Sequence, residues 1–565
     1  MTSSPGGAAT VSAANLHPKL SCTDLKGTTI AAGRIGLPTR GATVEQAERV
    51  GAAGRAGEPD YVPEHCLLTG AIAPVDPQAP PIRFSVAMPQ AWNGMSLQIG
   101  GNGMNGFIPF ITKLNRDGAG SPSGPLFPPD APFPIAHGYA TYGDDSGHGG
   151  ARIPGSTSGA TPQGPPPPPD TAWMRNEESR RNFAHEHIKK THDVAMALLE
   201  RFYGMQPRVK YFGGESQGGR AALNAIARYG ADYDGVLVSV PLAYFTGIHY
   251  SPLVRQIAQM QPGAWIPLAK LPAIERESIR QCDALDGLAD GVILNYQACQ
   301  RLFDPTVTPN PMRALRCPQG IDSGDQCLSD AQIALVDSFR APTKIGFPLA
   351  NGESDWPGEP PGSESVLRWL TADRAPTPEA VSARGDQGGL GALLNVRDLD
   401  PSKFDWAKYK AEFQVLSALI DAPADWTRFL AKGGKVIFHT TGNDFVTNPR
   451  GHMRLFEAVA AKAGPELMER NVRFYVTPAA DHGSRGYSFP DKRPQPRHAN
   501  LLDPLFQWVE QSKTPPDAIT QTLKDTKPPY TVSASRPLCR YPQYPHYNGG
   551  NADPARMESY TCKMP

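Results

Sequence analysis

Apolar residues along this chain switch between a spacing of two and one near 3.6, in an order that predicts strand–helix–strand units. Ile82, Phe84, Val86 and Met88 take alternate places, and Met95-Ser96-Leu97-Gln98-Ile99 reads as a second strand. Tyr139-Ala140-Thr141-Tyr142 is a third, ahead of the polar loop that runs from Gly143 to His148. From Asn176 to Phe202 the spacing becomes helical, with Phe183, His187, Ile188, Val194, Ala195, Leu198 and Leu199 in phase. Val209-Lys210-Tyr211-Phe212 returns to strand, a glycine-rich turn follows, and a helix is expected from Gly219 to Tyr229. Val236 to Val240 reads as a further buried strand, and the rhythm resumes with a strand over 433–439 and a helix over 452–463. A strand at Val472 to Val476 and a helix over 499–511 complete it. Such alternation predicts an α/β fold: a mainly parallel sheet covered by helices on both faces.

Four stretches break this rhythm. Residues 1–60 are rich in Gly, Ala and Thr and read as an irregular N-terminal arm. Residues 150–170 hold five consecutive prolines and predict a solvated, polyproline-like loop. Residues 243–425 carry four of the cysteines and many prolines, and read as a lid domain inserted into the core. The core would then comprise 61–242 and 426–565, with the tail beyond residue 511 expected to be loop. No internal repeat is visible.

Composition narrows the class. At 565 residues the chain exceeds the usual span of about 100–200 residues per domain, as a core with an insertion would. Hydrophobic residues make up 40%, enough for a large core. The 55 basic and 55 acidic side chains cancel and form no basic stripe, which argues against a nucleic-acid partner. No apolar run is long enough to span a membrane. The N-terminus lacks the basic and apolar regions of a signal peptide, so either the chain is cytosolic or a leader has been removed.

The eight cysteines decide between these. Cys22 and Cys66, Cys282 and Cys299, Cys317 and Cys327, and Cys539 and Cys562 fall as successive couples, none in a C-x-x-C arrangement. Sequential pairing is one of many possible connectivities, and buried free thiols are the alternative. Each bridge would contribute about 2–4 kcal/mol in the chain-entropy picture. Oxidised pairs imply a periplasmic or extracellular, secreted protein.

Gly214-Glu215-Ser216-Gln217-Gly218 matches G-x-S-x-G between an expected strand and an expected helix, the context of a nucleophile elbow. The pentapeptide alone is a weak signal, and an ordinary glycine-rich turn is the plain alternative. A serine hydroxyl needs a base, and the base needs an orienting carboxylate. His482 lies in the loop after the strand ending at Val476, whereas His452, His498 and His546 fall in helix or tail. Asp444 follows the strand ending near Phe438, at the end where α/β folds gather site residues. Asp481 is the rival acid, although a residue adjacent to the histidine more often caps its loop. The oxyanion donors are expected from the backbone of Gln217 and from the loop Gly100 to Gly106. That loop lacks the Lys-Ser/Thr of a P-loop and the spacing of a dinucleotide fingerprint.

Asp283, Asp286 and Asp290 are concentrated between Cys282 and Val292 with Gly287 and Gly291. Hard Ca²⁺ takes six to eight oxygens, on the order that these carboxylates plus the carbonyls of Leu288 and Val292 begin to supply. The spacing is not that of an EF-hand, and a solvated acidic turn is the alternative.

The segment Cys282 to Val292 continuing through Asn295-Tyr296 to Cys299 resembles the tannase/feruloyl esterase family. Pro63-Glu64-His65-Cys66, Trp92-Asn93-Gly94, the glycine loop, Arg536-Pro537-Leu538-Cys539 and Tyr541-Pro542-Gln543 extend the likeness from about Cys22 to Cys562. It is nearest to members that hydrolyse terephthalate half-esters. The resemblance implies an α/β-hydrolase core and the triad Ser216, Asp444 and His482, with Gly103 and Gln217 as oxyanion donors. It implies a structural Ca²⁺ at Asp283, Asp286, Leu288, Asp290 and Val292, no organic cofactor, and disulfides in the sequential pairing. Substrates would be small esters of aromatic acids such as gallates, ferulates or terephthalate half-esters. The sequence leaves the oligomeric state open, with a monomer favoured.

The sequence departs from the family in one respect. Members carry a cysteine just before the nucleophile and another just after the histidine, which form a disulfide beneath the triad. Here those places hold Glu215 and Gly483. An arginine and phenylalanine pair that grips a terephthalate carboxylate has no clear counterpart between Trp369 and Asp398. Arg374, Arg384 and Arg397 are the candidates there, with a plain surface role as their alternative. Two rival readings stay open: a non-catalytic binding protein on a hydrolase scaffold, and an amidase using the same triad.

Overall fold

The computed structural model describes residues 16–113, 127–149, 171–304, 310–364 and 374–565. The proline-rich stretch 150–170 lies outside them. A sheet of ten strands organises the molecule. Its strands are β1 (Thr29–Ile30), β2 (Ala42–Val50), β3 (His65–Ile72), β4 (Ile82–Pro89), β5 (Met95–Ile99), β6 (Ala140–Asp144), β7 (Val209–Glu215) and β8 (Gly235–Ser239). After a short ribbon of β9 (Thr343–Lys344) and β10 (Asp355–Trp356), it is completed by β11 (Lys435–Thr441) and β12 (Val472–Thr477). The order is β1-β2-β3-β4-β6-β5-β7-β8-β11-β12. Pairs from β6 through β12 are parallel, and those from β1 to β6 are antiparallel. This is the mainly parallel α/β core expected from the alternation, and the α/β-hydrolase type that the resemblance implies.

The period of two explains how two layers share one sheet. Val236, Val238, Val436 and Phe438 point to one face, where they meet α2 (Gln217–Tyr229) and α3 (Pro449–Ala463). Leu237, Ile437 and Tyr475 point to the other, against α4 (Leu502–Gln511). The earlier helix α1 (His187–Tyr203) covers Phe84, Val86 and Tyr142 with Val194, Leu198 and Phe202. Its lead-in starts at Asn176, whose side chain caps Ser179 N, and passes through a wide π-type turn at Asn182–Glu186. Each fully buried Val, Leu, Ile or Phe contributes about 1.5–3 kcal/mol.

Among the described residues, nothing between Ser239 and Lys435 joins the large sheet. That stretch is mainly helical and carries cores of its own. One gathers Tyr250, Phe404, Trp406 and Phe413. The other gathers Ile274, Phe303, Met312 and Val336 beside the Cys282–Cys299 bridge.

Two expectations are corrected. The arm to residue 60 is not irregular throughout, because β2 is a nine-residue strand of the main sheet. A bulge between Val44 and Gln46 interrupts its register, and most of its outer positions are exposed, so no clean alternation marks it. The tail is not loop either. Ala518–Lys524 (β13) pairs with Val532–Cys539 (β14), and Tyr544–Tyr547 (β15) pairs with Tyr560–Lys563 (β16). These are polar two-stranded ribbons containing prolines, stabilised by the Cys539–Cys562 bridge and by packing, as where Tyr541 N donates to Phe474 O. All four bridges join the successive couples: Cys22–Cys66, Cys282–Cys299, Cys317–Cys327 and Cys539–Cys562. No helix among the described residues is long and apolar enough to cross a membrane.

Candidate active site

The chain leaves β5 toward β6 on one side and then crosses to β7 on the other. Strand order reverses there, at the carboxyl ends of β5 and β7, the kind of place where open α/β sheets bind ligands. The glycine loop leaves β5 at that point, and Ser216 follows β7 directly.

Ser216 has φ 58° and ψ −116°, a region that costs about 1–3 kcal/mol for a residue with a side chain. Hydrogen bonds hold the turn: Ser216 N donates to Ser239 O at 3.0 Å, and Leu242 N donates to Ser216 O at 3.0 Å. The tightness explains the glycines. A Cβ on Gly218 would lie 2.7 Å from Gly100 O, so a larger residue there would push the glycine loop off the elbow.

The structure brings the three expected side chains into one hydrogen-bonded chain. His482 Nε2 lies 2.9 Å from Ser216 Oγ, and His482 Nδ1 lies 2.8 Å from Asp444 Oδ2. Asp444 is fully buried and itself oriented. Its Oδ1 accepts from Val446 N at 2.8 Å and Thr447 N at 2.9 Å, and its Oδ2 accepts from Thr447 Oγ1 at 2.6 Å. Burial would raise this carboxyl, but the His482 charge and these hydrogen bonds outweigh it and hold it below the ordinary range. Burial would depress His482, yet the Asp444 charge and hydrogen bond, aided by Glu215, raise it above the usual imidazole value. The rival Asp481 caps its own loop, accepting from Gly483 N and Arg485 N, each at 2.9 Å. His452 is bonded to Thr440 and Pro241 O, His498 neighbours Arg497, and His546 pairs with Tyr544.

Gln217 opens α2, so its N–H belongs to the first helical turn, which has no intrahelical acceptor and carries the positive end of the helix dipole. Gly103 sits in the glycine loop at φ 60° with open space on the side a Cβ would take. The loop is braced from beneath. Asn105 Nδ2 donates to Asp144 O at 3.2 Å, Gly106 N to Asp145 O at 3.1 Å, and His148 Nε2 lies 2.9 Å from Met104 O.

Sequence reasoning missed three supports. Asn102 hydrogen-bonds the Glu215 carboxyl, linking the glycine loop to the elbow. Fully buried Arg220 binds Gln217 Oε1 at 2.9 Å and Phe183 O at 2.8 Å, with its guanidinium over the rings of Phe183 and Phe245. Ser239 Oγ, His439 and Thr477 form a buried chain joining β8, β11 and β12, with contacts of 3.0 and 2.9 Å. An arginine one turn into a helix, or a polar residue on a buried strand, signals none of this by spacing.

In the acidic loop, Asp283 accepts from the amides of Asp290, Gly291 and Val292, and Asp286 from those of Leu288 and Leu294. Among the described residues no three ligand side chains converge as a metal cluster. Two observations nonetheless suit a cation. Asp290 Oδ1 is buried with no hydrogen-bond partner among the described residues, and burial together with the Asp290 charge pushes Asp286 up to about 7. Gly287 abuts Tyr547 O of β15, so the corrected tail packs on this loop. Arg374, Arg384 and Arg397 are all exposed, and residues 365–373 lie outside the described residues.

With this geometry in place, the chain can be set beside known proteins. A family model described as tannase and feruloyl esterase matches residues 66–563. The chain belongs to the tannase and feruloyl esterase family. It is a carboxylic ester hydrolase. It is 32% identical to an uncharacterized esterase of Agrobacterium fabrum, over 96% of this chain and 92% of that one. It is 27% identical to mono(2-hydroxyethyl) terephthalate hydrolase of Piscinibacter sakaiensis, over 94% of this chain and 90% of that one. Feruloyl esterase B from Aspergillus oryzae shares the fold, with a TM-score of 0.71 at 20% identity, covering 96% of this chain and 100% of that one.

Proposed function

We propose that this esterase hydrolyses small esters of aromatic acids through an acyl-enzyme on Ser216. The observation that carries the reading is the continuous chain from Ser216 Oγ through His482 to Asp444, with contacts of 2.9 and 2.8 Å. His482 Nε2 takes the serine proton as Oγ adds to the ester carbonyl, and returns it to the departing alcohol. Asp444 fixes the imidazole so that Nε2 faces serine, and stabilises the imidazolium. The N–H groups of Gln217 and Gly103 receive the developing oxyanion. Water then attacks the acyl carbonyl, with His482 again as base. The names of the relatives support an aromatic acyl group, because a flat ring is conjugated with the ester carbonyl in both, directly in terephthaloyl and through a vinyl group in feruloyl esters.

The stretch 243–425 serves in this reading as a lid over the triad. A Ca²⁺ held by Asp283, Asp286 and Asp290 with the carbonyls of Leu288 and Val292 would supply charge neutralisation and stability there, remote from the bond-breaking steps. The disulfides support a secreted or periplasmic setting.

The test is acid release from feruloyl, galloyl, terephthaloyl and nitrophenyl esters by wild type and Ser216→Ala. Loss of every activity in the variant, with labelling of the wild type by a fluorophosphonate, is expected. Equal rates for the two proteins would end the reading and favour an inert binding scaffold.

A further inference from the structure

The residue before the nucleophile is an acid where burial would favour an apolar side chain. Glu215 ends β7 and is 5% exposed, at a position flanked by glycines and strand backbone. Burying a carboxyl costs free energy unless a partner compensates it. The groups that act on it come from three elements. Asn102 of the glycine loop hydrogen-bonds the carboxyl, while His482 and Asp444 act through charge from the loops after β12 and β11. Of these groups, His482 is the one that can carry a positive charge. That cation exists only when His482 has taken a proton, which in the reading above is the moment Ser216 attacks.

We propose that Glu215 is a positioning residue for this reaction: it holds Asn102, and with it the loop bearing Gly103, against the elbow, and it supplies a second carboxylate that stabilises the His482 imidazolium. The two roles are linked by geometry. Asn102 precedes Gly103 in the chain, and Glu215 precedes Ser216, so one hydrogen bond ties the expected oxyanion donor to the nucleophile. The electrostatics support the second role. Burial raises the Glu215 carboxyl and the His482 charge lowers it, so protonation of the histidine favours the carboxylate. In the other direction Glu215 raises His482, after Asp444 and alongside Asp481. The pair therefore titrates as a coupled unit.

The inference rests on the triad reading, and the test separates the two. Full-length wild type, Glu215→Gln, Glu215→Asp, Asn102→Ala and Ser216→Ala are compared on 4-nitrophenyl acetate across pH, with fluorophosphonate labelling rates and melting curves. Glu215→Gln can still bond Asn102 but carries no charge. Its kcat should fall about tenfold, its KM should stay within about twofold, and the acid limb of kcat/KM should move to lower pH, since one group raising His482 is gone. Labelling should follow the same shift. Glu215→Asp should restore the position of the acid limb, a rescue that packing alone does not give. Asn102→Ala should lower kcat and move the limb less than Glu215→Gln does, because the carboxyl stays and loses only a hydrogen bond that favours its ionised form. A folded Glu215→Gln with wild-type kcat and an unmoved limb would overturn the inference and leave the triad standing, provided Ser216→Ala is inactive. Activity in Ser216→Ala would remove both.

Discussion

Asp444 and Asp286 are both fully buried acids, each at 0% exposure, yet their surroundings act on them in opposite directions. Around Asp444 the net effect of burial, the His482 charge and hydrogen bonds from His482 and Thr447 is to lower the carboxyl. Around Asp286, burial and the nearby Asp290 dominate over two backbone amides and raise it to about 7. The same side chain at the same depth becomes a committed anion in one place and an uncompensated one in the other. What decides is the sign of the neighbours. The His482 imidazole, a group of the fold itself, completes the first site. The second has room in its chemistry for a cation from outside, and Asp290 Oδ1, buried without a partner among the described residues, marks the same place.

The comparison is most sharply tested at its stronger half. Asp444→Asn keeps the shape and removes the charge, and should lower kcat by about four orders of magnitude with KM little changed. A loss under tenfold, measured by steady-state kinetics, would break the contrast. At the weaker half, chelation with EDTA should lower Tm while kcat of the still-folded enzyme at 25 °C stays within about twofold. The effect corresponds to about 2.7 kcal/mol at a hundredfold excess of calcium over its Kd. Asp290→Asn should make Tm indifferent to EDTA, and a wild-type Tm that EDTA does not move would remove calcium from the account.

The pH dependence follows from the first half. His482 must be neutral to act as base, and Asp444 raises it, so the acid limb of kcat/KM should lie above the ordinary imidazole value. A limb at or below that value would show the pair is weaker than the geometry indicates. Thr447→Val removes one hydrogen bond from Asp444 and leaves its charge partner in place. A fall in kcat of about threefold to tenfold is expected, the smallest effect of the series.

Much of this was legible in the sequence, for reasons that can be traced. The elbow announces itself because only glycines tolerate the contact between Gly218 and Gly100, and Asp444 and His482 follow strands whose apolar runs are plain. The Cys couples pair in chain order, the arrangement that the family resemblance implies. What was hidden had no period to show. A bulge scrambles β2, and β13 to β16 are mostly polar ribbons anchored by neighbours. Arg220 and Asn102 work through contacts with residues distant along the chain, such as Phe183 and Glu215. Nothing in their local spacing foretells those contacts.

His482 lies 266 residues beyond its serine partner, and the whole stretch between β8 and β11 intervenes. Synthesis runs from the N-terminus, and early parts of a chain begin to fold before late ones emerge. A nascent chain that has already formed β7 and its elbow would hold a nucleophile with neither base nor acid. Hydrolytic competence would arrive late in translation, when β11 and β12 dock beside β8. A truncated product would carry the serine and do nothing with it.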